Sequence, residues 1–370
     1  MRHDRSYRPR MTAPSKVECA TPAISGRVVW LDILKGIGIV LVVLGHTLRG
    51  LSAAHVLSPG GAAPVVDRWI YAFHMPLFFV AAGFLLPRAA SSGFRTFVTD
   101  RFARLGYPYL VWAPLQALLM TFASRYTNHP EHLSRAARAA FDPPMQFWFL
   151  YALLVQSLVF GALWKLGARR ALVLALAAVA FATEPFVPLG SWSVPYQARH
   201  YFVYVAIGAF LGRREVLSAV NGASRPALVF TVVGGLGMVT AMVAAGFAPG
   251  ERSLEDLVAA LSGTVGTVAL GRLLQDSTLR RALVYVGRRS LAIFVAHSIF
   301  SAAIRIGLQK FLRIDGAAVH LAAGVSVGLG APLALSILAE RWGFPYVFAW
   351  PSRGKDRAAA APARSAAAST

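Results

Sequence analysis

Residues 27–49, RVVWLDILKGIGIVLVVLGHTLR, hold three ionisable side chains inside an apolar run: Asp32, Lys35 and His46. Charge within hydrocarbon is costly, so such side chains turn toward a cavity or a partner. Asp32 and Lys35 are spaced i, i+3 and are neighbours on a helix. Lys35 and His46 are eleven residues apart. On a helix that spacing returns to within about 20° of the same direction, roughly 16 Å further along the axis. One face therefore carries an ion pair near one end and an imidazole near the other. Burial disfavours charge, so an imidazole there stays neutral and can take a proton from a hydroxyl. A cation at the other end can hold an anionic group.

Two more histidines stand in apolar runs: His74 in IYAFHMPLFFVAAGFLL and His297 in GRRSLAIFVAHSIF. If the first two runs cross a membrane as antiparallel neighbours, His74 lies about two turns in from the side that His46 faces. Matched depth on adjacent helices favours a joint role over two separately satisfied core histidines. His297 lies eight or nine residues beyond Arg288 and Arg289, near mid-membrane, where a packing hydrogen bond is the plainer reading. Asp32 and Lys35 have a plain reading too, as a self-neutralising pair with Lys35 reaching for the interface. Glu184, just before Pro185, reads as interfacial. Gly36, Gly38 and Gly45 read as sites of close helix packing, since no phosphate-loop frame surrounds them. No HExxH and no cysteine pair supports metal chemistry.

The elements that must carry these residues follow from composition. The chain has 370 residues, 56% of them hydrophobic and 14% charged, with mean hydropathy +0.55. That is an all-α polytopic membrane protein. Ten apolar segments are expected, at 28–48, 68–86, 102–123, 145–164, 171–189, 200–212, 227–247, 254–274, 290–306 and 319–340. The sixth and ninth are short for a crossing. A polar, basic and disordered tail (1–26) precedes the membrane domain (27–343). An aromatic interfacial segment and an Ala-rich disordered tail (344–370) follow it. The net charge of +21 comes from basic residues dispersed at segment ends, which fits loop orientation rather than nucleic-acid binding. With the N-terminus cytoplasmic, 26 Lys and Arg fall on the inner side and 10 on the outer. That ratio favours ten spans with both termini inside. Cys19 is the single cysteine, which excludes an internal disulfide.

WLDILKGIGIVLVVLGH followed by FHMPLFFVAAGFLL resembles the membrane-bound acyltransferase-3 family, in its fucose O-acetyltransferase-like branch. RFARLGYPYLVW, QFWFLYALL, YFVYVAIGAFLG and VGRRSLAIFVAHS follow in the family's order, and the resemblance covers about 27–341. It implies an inner-membrane enzyme of about ten helices, both termini cytoplasmic, with no bound cofactor. Its donor would be cytoplasmic acyl-CoA, usually acetyl-CoA. Its acceptor would be a sugar hydroxyl on a cell-surface or exported glycan, or on a lipid-linked sugar. The family's first-helix histidine matches His46, and the second-helix histidine matches His74. The basic residue eleven positions earlier, often Arg, is here Lys35, which lacks the bidentate fork. On this reading His46 is the general base and His74 orients it or the thioester. Asp32 and Lys35 hold the inner part of the donor, with Arg88, Arg101, Arg104, Arg288 and Arg289 at a basic mouth for its phosphates and His297 within substrate reach. The rival reading is a transporter or flippase of a sugar or lipid-linked sugar, which would use intramembrane charge without consuming the donor.

Overall fold

The computed structural model describes residues 28–350 except 59, 124–137, 140, 188, 190–192, 251–253 and 349. The readings made for residues 1–27, Cys19 included, and for the Ala-rich tail after residue 350 lie outside the described residues. Among those described there are helices and no strands.

The first helix, α1, is Val29–Ala53. It is followed by α2 (Ala62–Tyr71) and α3 (His74–Ala90), then α4 (Phe94–Arg101), which runs through a π turn at Phe102–Gly106 into α5 (Tyr107–Phe122). A 3-10 turn, Met145–Phe147, opens α6 (Trp148–Lys165), and α7 is Arg170–Ala182. Next come α8 (Ser193–Leu211), the short α9 (Arg214–Gly222), α10 (Arg225–Ala244) and α11 (Leu254–Leu274). The chain closes with α12 (Arg280–Arg288), α13 (Ser290–Ile306) with a π turn at Gly307–Phe311, and α14 (Ala317–Arg341).

Seven of these helical stretches are long and apolar enough to cross a membrane: Val29–Ala53, Ala62–Ala90, Met145–Lys165, Arg225–Ala244, Leu254–Leu274, Ser290–Phe311 and Ala317–Arg341. The other three expected segments are helical as well. The third starts earlier than expected, at Phe94, and bends through the π turn. The fifth ends at Ala182, before the 3-10 turn Glu184–Phe186, and has only 13 residues. The sixth is longer than its apolar core, at 19 residues, because SVPYQAR extends it at the N-terminus. The ninth gains length in the same way from its terminal π turn. The second expected segment runs 62–90 and is broken at Ala72 and Phe73. Pro76 stands in the first turn of α3, where a missing N–H is tolerated but a continuous helix from α2 is not.

Close contacts fix the direction of each helix. Arg49 on α1 pairs with Asp67 on α2, and Gly38 faces Phe78 on α3, so the second stretch runs back along the first. Phe97 packs on Gly161 while Gln116 meets Gln146, so α4–α5 and α6 are antiparallel. Arg199 on α8 donates to the carbonyl of Ala180 near the end of α7. Gly83 lies on the Val205 carbonyl and Gly212 on that of Phe84, which makes α3 and α8 parallel. Gly235 sits between Ser262 and Gly266, pairing α10 with α11. Gly271 of α11 approaches the Trp30 carbonyl, while Gly324 and Gly328 of α14 approach Thr47 and Val43. The ten segments therefore alternate in direction. The start of α1 and the end of α14 share one end of the bundle, tied by Asp32 to Arg288 and by Arg289 to Glu340.

The axis of the assembly is α1, which packs on α2, α3 and α11 to α14. Gly36 and Gly287 let α1 and α12 touch backbone to backbone: a Cβ at Gly36 would meet the Leu283 carbonyl, and one at Gly287 the Asp32 carbonyl. No side chain fits between them.

Candidate active site

The end of the bundle where α1 starts carries the ion pair. Asp32 is buried, with Lys35 Nζ 2.9 Å from one carboxylate oxygen and Arg288 Nε 3.6 Å from the other. A buried carboxylate needs that compensation. The α1–α12 glycine contact supplies it by bringing Arg288 alongside. Arg289 turns the other way, to Glu340 at 3.1 Å and over the Tyr285 ring.

Other predicted cations at this end are less concentrated. Arg101 and Arg104 both bind Asp100, Arg104 at 2.6 Å. Arg88, at the end of α3, is exposed, with no anionic partner among the described residues. The structure thus brings Asp32, Lys35 and Arg288 together, and leaves Arg88, the Arg101–Arg104 pair and Arg289 as separate groups at the same end.

Three turns along α1 lies the second cluster. His46 is half-buried, and its ring stands 5.1 Å from that of His297 on α13, at 65°. Tyr71, the last residue of α2, lies 6.3 Å from His46 on another side and 4.5 Å from His74. Gly45 makes room for this: a Cβ there would stand 3.0 Å from the Tyr71 ring. The Arg49 guanidinium lies over Tyr71, 3.0 Å from the ring centre, and binds Asp67 with two hydrogen bonds of 2.8 and 3.1 Å. The Tyr71 hydroxyl is buried, with no hydrogen-bond partner among the described residues.

The break between α2 and α3 sets His74. Its Nδ1 is 2.8 Å from the Ile70 carbonyl. A carbonyl only accepts, so Nδ1–H donates and Nε2 keeps its lone pair. His297 is held the same way, Nδ1 donating to Phe294 (2.8 Å) and Ile293 (3.1 Å) within its own helix. This is the packing hydrogen bond read from the sequence, yet it leaves Nε2 buried with no partner among the described residues.

Several residues escaped the sequence reading. Tyr71 was one, although its i, i+3 spacing to His74 was visible. Glu184 has a partner the interfacial reading did not supply: its side chain is buried and bonded to His200 Nδ1 at 2.9 Å, a pair made by the α7–α8 turn that no spacing announces. Gln116, Gln146 and Ser298 form a closed ring of hydrogen bonds from three elements, with Gln146 donating to Ser298 at 2.7 Å. The C-terminal aromatic segment makes contacts the sequence did not reveal. Trp342 and Phe344 are exposed, but Tyr107 and Trp112 of α5 donate to the carbonyls of Tyr346 and Val347, and Phe348 stacks on Trp112. Among the described residues no group of three or more His, Cys, Asp or Glu is placed to hold a metal ion.

Comparison with known proteins adds the following. The Acyl_transf_3 family model, described as an acyltransferase domain, matches residues 28–341. The chain is similar to nodulation protein NolL of Sinorhizobium fredii, 30% identical over 187 residues, which is 46% of this chain and 47% of that protein. It is also similar to nodulation protein NolL of Mesorhizobium japonicum, 27% identical, over 48% of each chain. The chain thus matches about half the length of these curated relatives. No solved structure matches it significantly.

Proposed function

Because the chain belongs to the acyltransferase-3 family, we propose that it is an integral-membrane O-acyltransferase. It carries an acyl group, acetyl in the first instance, from cytoplasmic acyl-CoA to a hydroxyl of a cell-surface or exported glycan. The observation that carries this reading lies on α1. His46 stands among Tyr71, His74 and His297 at one level, and Lys35 with Asp32 and Arg288 lies roughly 16 Å away along the same helix by its rise. A pantetheine arm spans that distance. Its phosphates stay at the basic end with Lys35, Arg288 and the arginines around them, and its thioester reaches His46.

In the reaction His46 takes the proton of the acceptor hydroxyl. The hydroxyl oxygen bonds to the thioester carbonyl carbon, the carbon–sulfur bond breaks, and the CoA thiolate leaves with the proton held by His46. His74, fixed by Ile70, stands beside Tyr71 in the same cluster with Nε2 as its acceptor. The basic end faces the cytoplasm of a bacterial inner membrane, and the acceptor arrives from the other face. The dispersed excess of Lys and Arg supports that orientation.

Isolated membranes given radiolabelled acetyl-CoA test this. Label should pass into extractable glycan or glycolipid in wild-type membranes and not in His46→Ala membranes. Donor left unconsumed in both would support the transporter reading instead.

A further inference from the structure

We infer that His297 sets the tautomer of His46, accepting the N–H of one His46 nitrogen so that the other nitrogen is the basic one. His297 is fully buried, on α13, with Nδ1–H committed to the carbonyls of Phe294 and Ile293. In a neutral imidazole one nitrogen donates and the other accepts, so Nε2 can only accept. That atom is buried and has no partner among the described residues, and a buried acceptor is ordinarily satisfied by a neighbouring donor. The ring beside it is His46, 5.1 Å between centres and close to edge-on. An N–H···N bond of about 3 Å between two imidazoles places their centres about 5 Å apart, so rotation of the half-buried His46 ring closes it.

The role is positional. A neutral His297 with Nδ1 committed has no N–H to offer a developing oxyanion, and its Nε2 is sealed from the space where a hydroxyl would arrive. What it supplies is orientation, together with an acceptor that steadies His46 once His46 carries the proton. The parallel packing of α1 and α13 makes the pair possible, and the Asp32–Arg288 contact at the far end registers the two helices. His74, on the other side, reaches His46 through Tyr71 and not by direct ring contact. His297 has this role only if His46 is the base proposed above, whereas the tautomer of His46 can be measured without any turnover.

The test has two arms. In the full-length protein in lipid, labelled with 15N-histidine, the His46 signals (identified by their loss in His46→Ala) should show one tautomer. His297→Leu should show both tautomers, and His297→Gln one again, because the amide oxygen of Gln takes the place of Nε2 and accepts. In membranes supplied with acetyl-CoA, His297→Leu should lower kcat by roughly thirtyfold or more with KM for acetyl-CoA unchanged. His297→Gln should recover at least tenfold of that. Adding His297→Leu to His46→Ala should cost nothing further. A single His46 tautomer in His297→Leu overturns the proposal, as does equal kcat in the Leu and Gln variants or a further loss in the double variant. Leu and Gln are of similar volume, so a fold-level defect strikes both and is seen as unfolding. Wild-type membranes that transfer no acetyl group would refute the acyltransfer reading and leave the spectroscopic arm to decide the tautomer.

Discussion

His46 and Lys35 share a helix face but make separable contributions. His46 has no hydrogen bond among the described residues and packs edge-on against two rings, so its removal takes away little cohesion. His46→Ala should insert and fold normally, bind acyl-CoA as wild type does, and lose acyl transfer by roughly a hundredfold or more, the usual scale for a positioned base. Transfer at near wild-type rate in a stably inserted variant would refute the mechanism and shift attention to His74. Lys35→Ala is different, since it strips Asp32 of its nearer cation and leaves Arg288 at 3.6 Å. We expect weaker donor binding, read as a raised KM, with a loss of stability below the 3–5 kcal/mol or so that follows full exposure of a buried ion. Replacing Arg288 and Arg289 together by Gln should also raise KM for acetyl-CoA, by roughly tenfold, about 1.4 kcal/mol. An unchanged KM with intact expression would mean the two arginines serve only to orient the loop.

The helices themselves were legible where periodic charge and hydropathy spoke together, and α1 was the clearest case: its ion pair, its glycines and its histidine stand where the spacing put them. What could not be read were features that depend on two elements meeting. The break before His74 comes from Pro76 and from the packing of Phe73 on Gly263, and the second of these lies in a helix nearly two hundred residues away. The His46–His297 contact needs α13 parallel to α1, and the Glu184–His200 pair needs the α7–α8 turn. Spacing within one helix is silent about both. The α1–α12 contact is the test at this scale. Gly287→Val would drive a side chain into the Asp32 carbonyl, and overpacking of this kind costs about 1–3 kcal/mol. It should lower the unfolding temperature in detergent and raise KM for acetyl-CoA. A variant that melts and binds as wild type does would mean that α12 is not registered on α1 by this contact.

At the scale of the whole molecule, segment count and segment direction are different questions. Length and composition single out seven stretches, an odd number that would put the two ends of the chain on opposite sides of a membrane. The packing adds three helical segments to these seven, because the short α7, the polar-tipped α8 and the bent α4–α5 pack beside longer partners. Short or polar helices survive there because neighbours cover them: Ala177 is fully buried, and Tyr204 nearly so. The contacts of Asp32 with Arg288 and of Arg289 with Glu340 then require the start of α1 and the end of α14 to share a side. On the topology proposed from the 26 to 10 distribution of Lys and Arg, that side is the cytoplasm. Reporter fusions after Arg225 and after Arg341 should both read cytoplasmic, and a fusion after Phe122 should read external. His129, in the same outer loop by this topology, lies outside the described residues. A cytoplasmic reading after Arg225 with an external one after Arg341 would break the alternation of the last four segments, and with it the placement of His297 at the level of His46.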